Sequence, residues 1–300
     1  MRLGIDIGGT KTDAVAVDER GALAESIRLP TGFGHVAVIE TAVAAVSRLG
    51  ELTGLAPAGF LSIGVGVPGM VDTVSGDVAH AVNLGLDRLA LGGMLAGRLG
   101  VGVRVRVEND VKAAALGAYH LLGLTGTMAF LNLGTGMAAG VVVDGRLWRG
   151  STGIAGEIGH LPVDPQGAVC ACGQRGCLET LASGSGVARQ WPTDDPYPVR
   201  ALLAAASAGD PAARAIAARL AVGIASAVRA LVLTVDPATV VIGGGLSHLG
   251  QRLLGGVHEV LHDWERTSPF LASLDLPGRV RLVPEGSPVA ALGAALVGEN

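Results

Sequence analysis

Aromatic residues are scarce in this 300-residue chain, with 4 Phe, 3 Trp and 2 Tyr, 3% in all, although 49% of its residues are hydrophobic. The surplus lies in Ala, Val, Leu and 47 Gly, which predicts close-packed helices on a Val-rich sheet and an α/β enzyme scaffold. Cysteine is nearly absent, and an odd count of 3 argues against a disulfide framework. A basic excess is missing too. The net charge of −4 and pI near 6.0 exclude the electrostatic footprint of a nucleic-acid or anionic-lipid binder, leaving a small molecule as the expected partner. The opening "MRLGIDIGG" lacks the apolar stretch and small-residue cleavage site of a secretory signal, so a cytoplasmic address is expected. Residues 113–143 carry no formal charge, but Gly117, Gly123, Gly126, Gly134, Gly136 and Gly140 interrupt them. A buried helix and a buried strand are predicted there, not a membrane span. The G-x-x-x-x-G-K-[ST] pattern of a P-loop is absent.

Such a length exceeds one usual core, and two lobes are expected. An internal repeat supports them: "IDIGGTKTDAVAVD" (5–18) aligns without gaps on "LNLGTGMAAGVVVD" (131–144), each reading as strand, glycine turn, strand. Helices are predicted near 38–52, 89–99 and 111–122, with strands at 60–67 and 103–108 between them. This alternation implies mostly parallel sheet beyond the hairpins. A long helix is expected over 210–235, begun by "DPAA" and ended by "DP". "TVVIGGGLSHLG" then reads as strand, glycine turn, helix. The terminal segment "GSPVAALGAALVG" is predicted to be a helix that packs back on the first lobe. The expected lobes are 1–122, completed by 287–300, and 123–286.

The hairpin turn "DIGGTKT" offers Gly8, Gly9, the Thr10 hydroxyl and the Lys11 ammonium to a phosphate, and Asp6 to Mg²⁺ through water. Its bland reading is a hairpin with an acidic strand residue. The copy "LGTG", with Thr135 and Gly136, and the turn Gly243, Gly244, Gly245 favour the phosphate reading, with two facing hairpins gripping a nucleotide across a cleft. "GVGVPG" (64–69) matches G-x-G-x-x-G, but Pro68 and the "MVDTVSG" that follows do not open a helix, against a dinucleotide site. In "VENDVKAAALG" a strand ends at Glu108 and a helix begins at Asn109 and Asp110. A carboxylate there suits a general base and equally a helix cap. His160, Cys170, Cys172 and Cys177 form H-x9-C-x-C-x4-C, a Cys3His set suited to tetrahedral structural zinc, with three buried thiols beside an unrelated histidine as the alternative. Four protein ligands leave no open coordination position, so the metal would shape a loop. It would gather Glu157, His160 and Glu179, which resemble a hydroxyl-binding set for a sugar, one histidine nitrogen serving the sugar while the other binds zinc.

"DIGGTKT", "GVPGMVD", "END", "LGTG", "GEIGH", "CACGQRGCLE" and "VIGGGLS", in this order over essentially the whole chain, resemble the ROK (repressor, open reading frame, kinase) sugar kinases and repressors of the actin-like ATPase superfamily. The resemblance implies a two-lobed α/β actin-like ATPase (ribonuclease H-like) fold with duplicated hairpin and mixed-sheet domains and an interlobe cleft. It implies that Asp110 takes the proton from a sugar hydroxyl attacking the γ-phosphate of ATP. Gly69, Asn83, Asn109, Asp110, Glu157, His160 and Glu179 would surround the sugar. Gly8 to Lys11, Thr135, Gly136 and Gly243 to Gly245 would surround the nucleotide, with Mg²⁺ on the phosphates and zinc on His160 and the cysteines. A homodimer or homotetramer is implied, acting on a hexose and ATP, with no nucleic acid or membrane partner. Glucose is the first expectation; N-acetylmannosamine, N-acetylglucosamine, fructose, mannose and allose are the alternatives. Four positions depart from the pattern: Lys112 where asparagine is common, Ala138 and Ala139 where glycines are usual, and a tryptophan missing after Asn83. Lys112 either alters sugar choice or faces solvent. A sugar-sensing repressor would carry a helix-turn-helix before the first hairpin, for which six residues leave no room, and this favours the kinase over a sensor.

Overall fold

The structure, a computed structural model, describes residues 1–100 and 102–297. Three strands open the chain, β1 (Arg2–Ile7), β2 (Lys11–Val17) and β3 (Leu23–Pro30), followed by α1 (His35–Thr53). Four strands come next, β4 (Ile63–Val67), β5 (Met70–Asp72), β6 (Asp77–Ala81) and β7 (Leu86–Leu89), then α2 (Leu91–Leu99), β8 (Val105–Asn109) and α3 (Asp110–Leu121). The second hairpin is β9 (Thr127–Leu133) and β10 (Met137–Val143), extended by β11 (Arg146–Leu147). Four helices follow the cysteine loop, α4 (Leu178–Ala182), α5 (Gly184–Gln190), α6 (Pro198–Ser207) and α7 (Pro211–Val235). The chain ends in β12 (Thr239–Gly243), α8 (Gln251–Thr267), α9 (Pro269–Ala272), β13 (Val280–Leu282) and α10 (Val289–Val297). Residues 298–300 of the expected terminal helix lie outside the described residues.

The repeat read in the sequence reappears as sheet topology. One five-stranded sheet has the order β3-β2-β1-β4-β8 and another the order β11-β10-β9-β12-β13, so the same hairpin-then-parallel plan occurs twice. β1 pairs antiparallel with β2 and parallel with β4, and β4 pairs parallel with β8. β12 pairs parallel with both β9 and β13. The stretch after Gly69 differs from expectation. It forms a small antiparallel sheet, β5-β6-β7, of strands of three to five residues, too short for an alternating pattern to stand out.

The chain divides into two units, Met1–Thr125 with Gly140–Ala155 and Gly286–Asn300, and Gly126–Ala139 with Gly156–Glu285. In the first, α1 lays Val38, Ile39, Ala42, Ala45, Val46 and Leu49 on the sheet at helical spacing and stops at Gly54, whose left-handed backbone (φ 71°) closes the last turn. Helix α10 packs on β1, β4 and α3 through backbone, as its small residues allow. A side-chain carbon on Gly64 would fall 1.7 Å from the Ala294 carbonyl oxygen, and one on Gly117 would fall 1.9 Å from that of Val289. Only glycine fits at these crossings. In the second unit α7 is the central helix, capped by the Asp210 carboxylate accepting from the Ala213 N–H at 2.8 Å, with Pro211 in its first turn. Among the described residues α7 alone has the length and hydropathy of a membrane span, but its face from Ala213 to Val232 is buried against α4, α6 and α8. It is a core helix.

Candidate functional site

In the first unit the parallel strands end in a row of partners, Asp6 with Gly66 and Gly66 with Glu108, and Val67 pairs with Asn109. A side-chain carbon on Gly66 would begin 3.6 Å from the Asp110 Cα and 3.7 Å from Asp6 Oδ1, so the start of α3 and the Asp6 carboxylate lie against the same point of β4. The Asp6 carboxyl is pushed up to about 8 by burial and then by the negative charges of Asp110 and Asp13, against the pull of Lys11. Such a concentration of negative charge suits a divalent cation.

Asn109 is the N-cap of α3, its Oδ1 accepting from the Val111 N–H at 3.0 Å and the Lys112 N–H at 3.2 Å, while its Nδ2 donates to the Gly69 carbonyl at 3.2 Å. The cap reading and a functional position for Asp110, one residue on, therefore coexist. Asp110 Oδ1 accepts from the Val111 N–H at 2.9 Å. Behind this junction lies a pair that the sequence reading missed. The Glu108 carboxylate is 2% exposed, receives Arg149 Nε at 2.7 Å and accepts the Asn109 N–H at 3.0 Å. An acidic residue closing a strand of alternating Val and Arg was its only signal, and nothing marked Arg149, 41 residues away. Lys112 is 5% exposed, so it does not face solvent.

The first glycine turn joins β1 to β2, closed by the Gly8 N–H donating to the Lys11 carbonyl at 3.0 Å, and Gly9, Thr10 and Lys11 are exposed. Neither glycine has positive φ, so close approach, not backbone conformation, is what calls for them. A side chain on Gly9 would begin 3.3 Å from Asn83, whose own side chain is exposed. Thus Asp6, the Gly8 to Lys11 turn, Gly69, Asn83, Asn109 and Asp110 share one unit and are linked through neighbouring backbone.

In the second unit, "GEIGH" lies directly on the start of β10. Ala139 N–H donates to the Gly156 carbonyl at 2.7 Å, and side chains on Gly156 or Gly159 would collide with the Ala139 and Met137 carbonyls. Glu179, in the first turn of α4, accepts the Met137 N–H at 3.1 Å. Glu157, His160 and Glu179 are therefore all anchored around residues 137–139. The "LGTG" turn is tied to α5, with the Gly134 and Thr135 carbonyls accepting from the Gly184 and Ser185 N–H groups at 2.8 and 3.0 Å, and Thr135 stays exposed. Of the third turn, Gly243 is packed on Phe130 and Gly244 on Asn132 and Leu133, whereas Gly245 faces open space. A tight 3-10 turn, Gly245–Leu249, follows, and the α-helix begins only at Gln251. Ala138 and Ala139 have ordinary backbone angles, which is why alanine serves there.

The ligand atoms of His160, Cys170, Cys172 and Cys177 lie within 4.8 Å of one another. Cys170 Sγ is 3.7 Å from His160 Nδ1, and Cys172 Sγ is 3.7 Å from Cys177 Sγ. Bonds of about 2.3 Å to a tetrahedral zinc set S–S edges of about 3.8 Å, so the donor set fits that ion. The Cys172 thiol is brought down to about 6, chiefly by the backbone and side-chain amides of Gln174, and the Cys177 thiol is pushed up to about 12, first by burial. A zinc ion would hold all three as thiolates.

A family model described as "ROK family" matches residues 2–296. The chain is 31% identical over 287 residues to the glucokinase of Streptomyces coelicolor, covering 88% of each chain. Among solved structures it is similar to the ROK hexokinase of Thermus thermophilus (TM-score 0.81, 32% identity, 98% of this chain and 96% of that one). It is also similar to a ROK family glucokinase from Streptomyces griseus in complex with glucose and AMPPNP (TM-score 0.79, 29% identity, 99% and 98%).

Proposed function

The chain belongs to the ROK family, and from that premise we propose that it is an ATP-dependent sugar kinase transferring the γ-phosphoryl group to a hexose hydroxyl, with glucose as first substrate. The mixed α/β fold is that of ROK kinases in the actin-like ATPase superfamily. One observation carries the mechanism: the β8–α3 junction sets Asp110 against Asp6 in the unit that also bears the exposed Gly8 to Lys11 turn. Asp110 takes the proton of the attacking hydroxyl; the new O–P bond forms as the bond from the γ-phosphorus to the ADP oxygen breaks. Lys11, with Gly8, Gly9 and Thr10, receives the phosphates, and Thr135, Gly136 and the turn Gly243 to Gly245 receive the rest of the nucleotide. Asp6 would hold Mg²⁺ through water, and when bound that ion neutralises phosphate charge.

Around the sugar, Asn83, Asn109, Glu157 and Glu179 bond hydroxyls, and Gly69 leaves room for the ring. His160 turns Nδ1 toward Cys170; with zinc on that nitrogen, Nε2 carries the hydrogen and donates to a sugar oxygen. Zinc on His160, Cys170, Cys172 and Cys177 would be structural, fixing the loop that presents Glu157, His160 and Glu179. Catalysis is then alignment plus charge stabilisation. The protein is proposed to work in the cytoplasm as a homodimer or homotetramer.

The test is Asp110→Asn, which keeps the shape of the side chain and removes its basicity. Turnover is expected to fall by about 10² to 10⁴ with sugar affinity, measured by calorimetry, little changed. Near-normal turnover would remove Asp110 from the chemistry.

A further inference from the structure

We infer that Glu108 and Arg149 are positioning residues for phosphoryl transfer, a part-buried ion pair that fixes the β8–α3 junction from behind and so holds Asn109 and Asp110. The inference rests on the reading of Asp110 as the base. Both Glu108 oxygens are engaged: Oε2 receives Arg149 Nε at 2.7 Å and Oε1 receives the Asn109 N–H at 3.0 Å. Asn109 is held in turn on its other groups, by the Val111 and Lys112 amides at Oδ1 and through Nδ2 on the Gly69 carbonyl. One connected set of bonds therefore runs from Arg149 through Glu108 and Asn109 to the Gly69 loop. Asp110 is the next residue on that fixed backbone.

A structural need alone does not call for this pair, since a buried ion pair replaced by well-packed apolar residues often leaves stability unchanged or raised. Its placement points to the chemistry instead. Glu108 occupies the same register row as Gly66 and Asp6, at the end of the sheet where burial and then the charge of Asp110 already raise the cost of ionising Asp6. An uncompensated Glu108 carboxylate, 2% exposed, would add a further negative charge there with little solvent to screen it. Arg149, arriving from the Gly140–Ala155 segment that lies with the first unit, supplies the offsetting charge.

The experiment compares full-length wild type with Arg149→Met, Arg149→Lys, Glu108→Gln and the double variant Arg149→Met/Glu108→Gln, recording kcat, KM for hexose and for ATP, and Tm. Arg149→Met is expected to lower kcat roughly tenfold to hundredfold, the range for a catalytic group displaced by about 1 Å, with KM for ATP within about twofold of wild type. Arg149→Lys should retain more activity. The double variant should recover part of the loss, because the unpaired carboxylate is gone. A kcat within about twofold of wild type in both Arg149→Met and Glu108→Gln would overturn the inference whatever the change in Tm. Equal losses in Arg149→Met and the double variant would overturn it too, as that would trace the defect to packing. If Arg149→Met does not fold, Arg149→Lys and Glu108→Gln decide by the same criterion. Wild type that phosphorylates no sugar defeats the underlying reading, not this one, and is established before any variant is assayed.

Discussion

Asp6 holds the plainest pH signature in the molecule. Its carboxyl titrates near 8 in the folded chain against an ordinary 3.8, so the native state favours the protonated form. That contribution to stability is fully present below pH 3.8 and is lost as pH rises toward 8. Without divalent cations, Asp6→Asn is therefore expected to gain Tm over wild type at pH 8.5, with little difference near about pH 4. Adding Mg²⁺ at the higher pH should narrow the gap. An offset equal at both pH values would show that burial and the neighbouring charges do not act on Asp6 in this way. Individual residues with their own chemistry, Asp110, Lys11, His160 and the cysteines, were legible in the sequence because motif and spacing limit what they do. Glu108 and Arg149 were not, since their meaning lies in a contact between distant segments that no local pattern encodes. Lys112 was left open by its neighbours in sequence, and only packing decided that it is buried.

Among the elements, the cysteine loop and α10 make separate predictions. Cys172→Ser removes a ligand from a set whose other members are already in place, and should release zinc and weaken sugar binding more than nucleotide binding. Zinc retained at one per chain, or equal loss of both affinities, would disconnect the loop from the sugar. Where α3 crosses α10, the Cβ of Gly117→Ala would fall 1.9 Å from the Val289 carbonyl oxygen, a collision with backbone that no rotamer relieves. A loss of about 1 to 3 kcal/mol, read by denaturant unfolding, is expected; stability unchanged would mean that the two helices separate easily. Long periodic helices such as α1 and α7 and the repeated hairpins were visible in the sequence. The sheet β5-β6-β7 was not, because strands of three to five residues with a left-handed His80 (φ 57°) among them show no alternation.

For the whole molecule, duplication is the organising fact: two five-stranded sheets of the same plan, each with its own core, grew from the gapless match of two 14-residue segments. The return of Gly140–Ala155 to the first unit had no comparable signal, because β10 is a continuous strand by every local criterion and only long-range contacts divide it. That return delivers Arg149 to Glu108 and lets the chain re-enter the second unit at Gly156, beside the sugar-facing residues proposed above. The central claim is that this chain is a hexose kinase. The most direct measurement is ADP release from Mg-ATP by the purified, zinc-loaded protein over glucose, mannose, fructose, allose, N-acetylglucosamine and N-acetylmannosamine. Strong turnover is expected with glucose; folded protein that releases no ADP above its sugar-free rate with any of the six would contradict the claim.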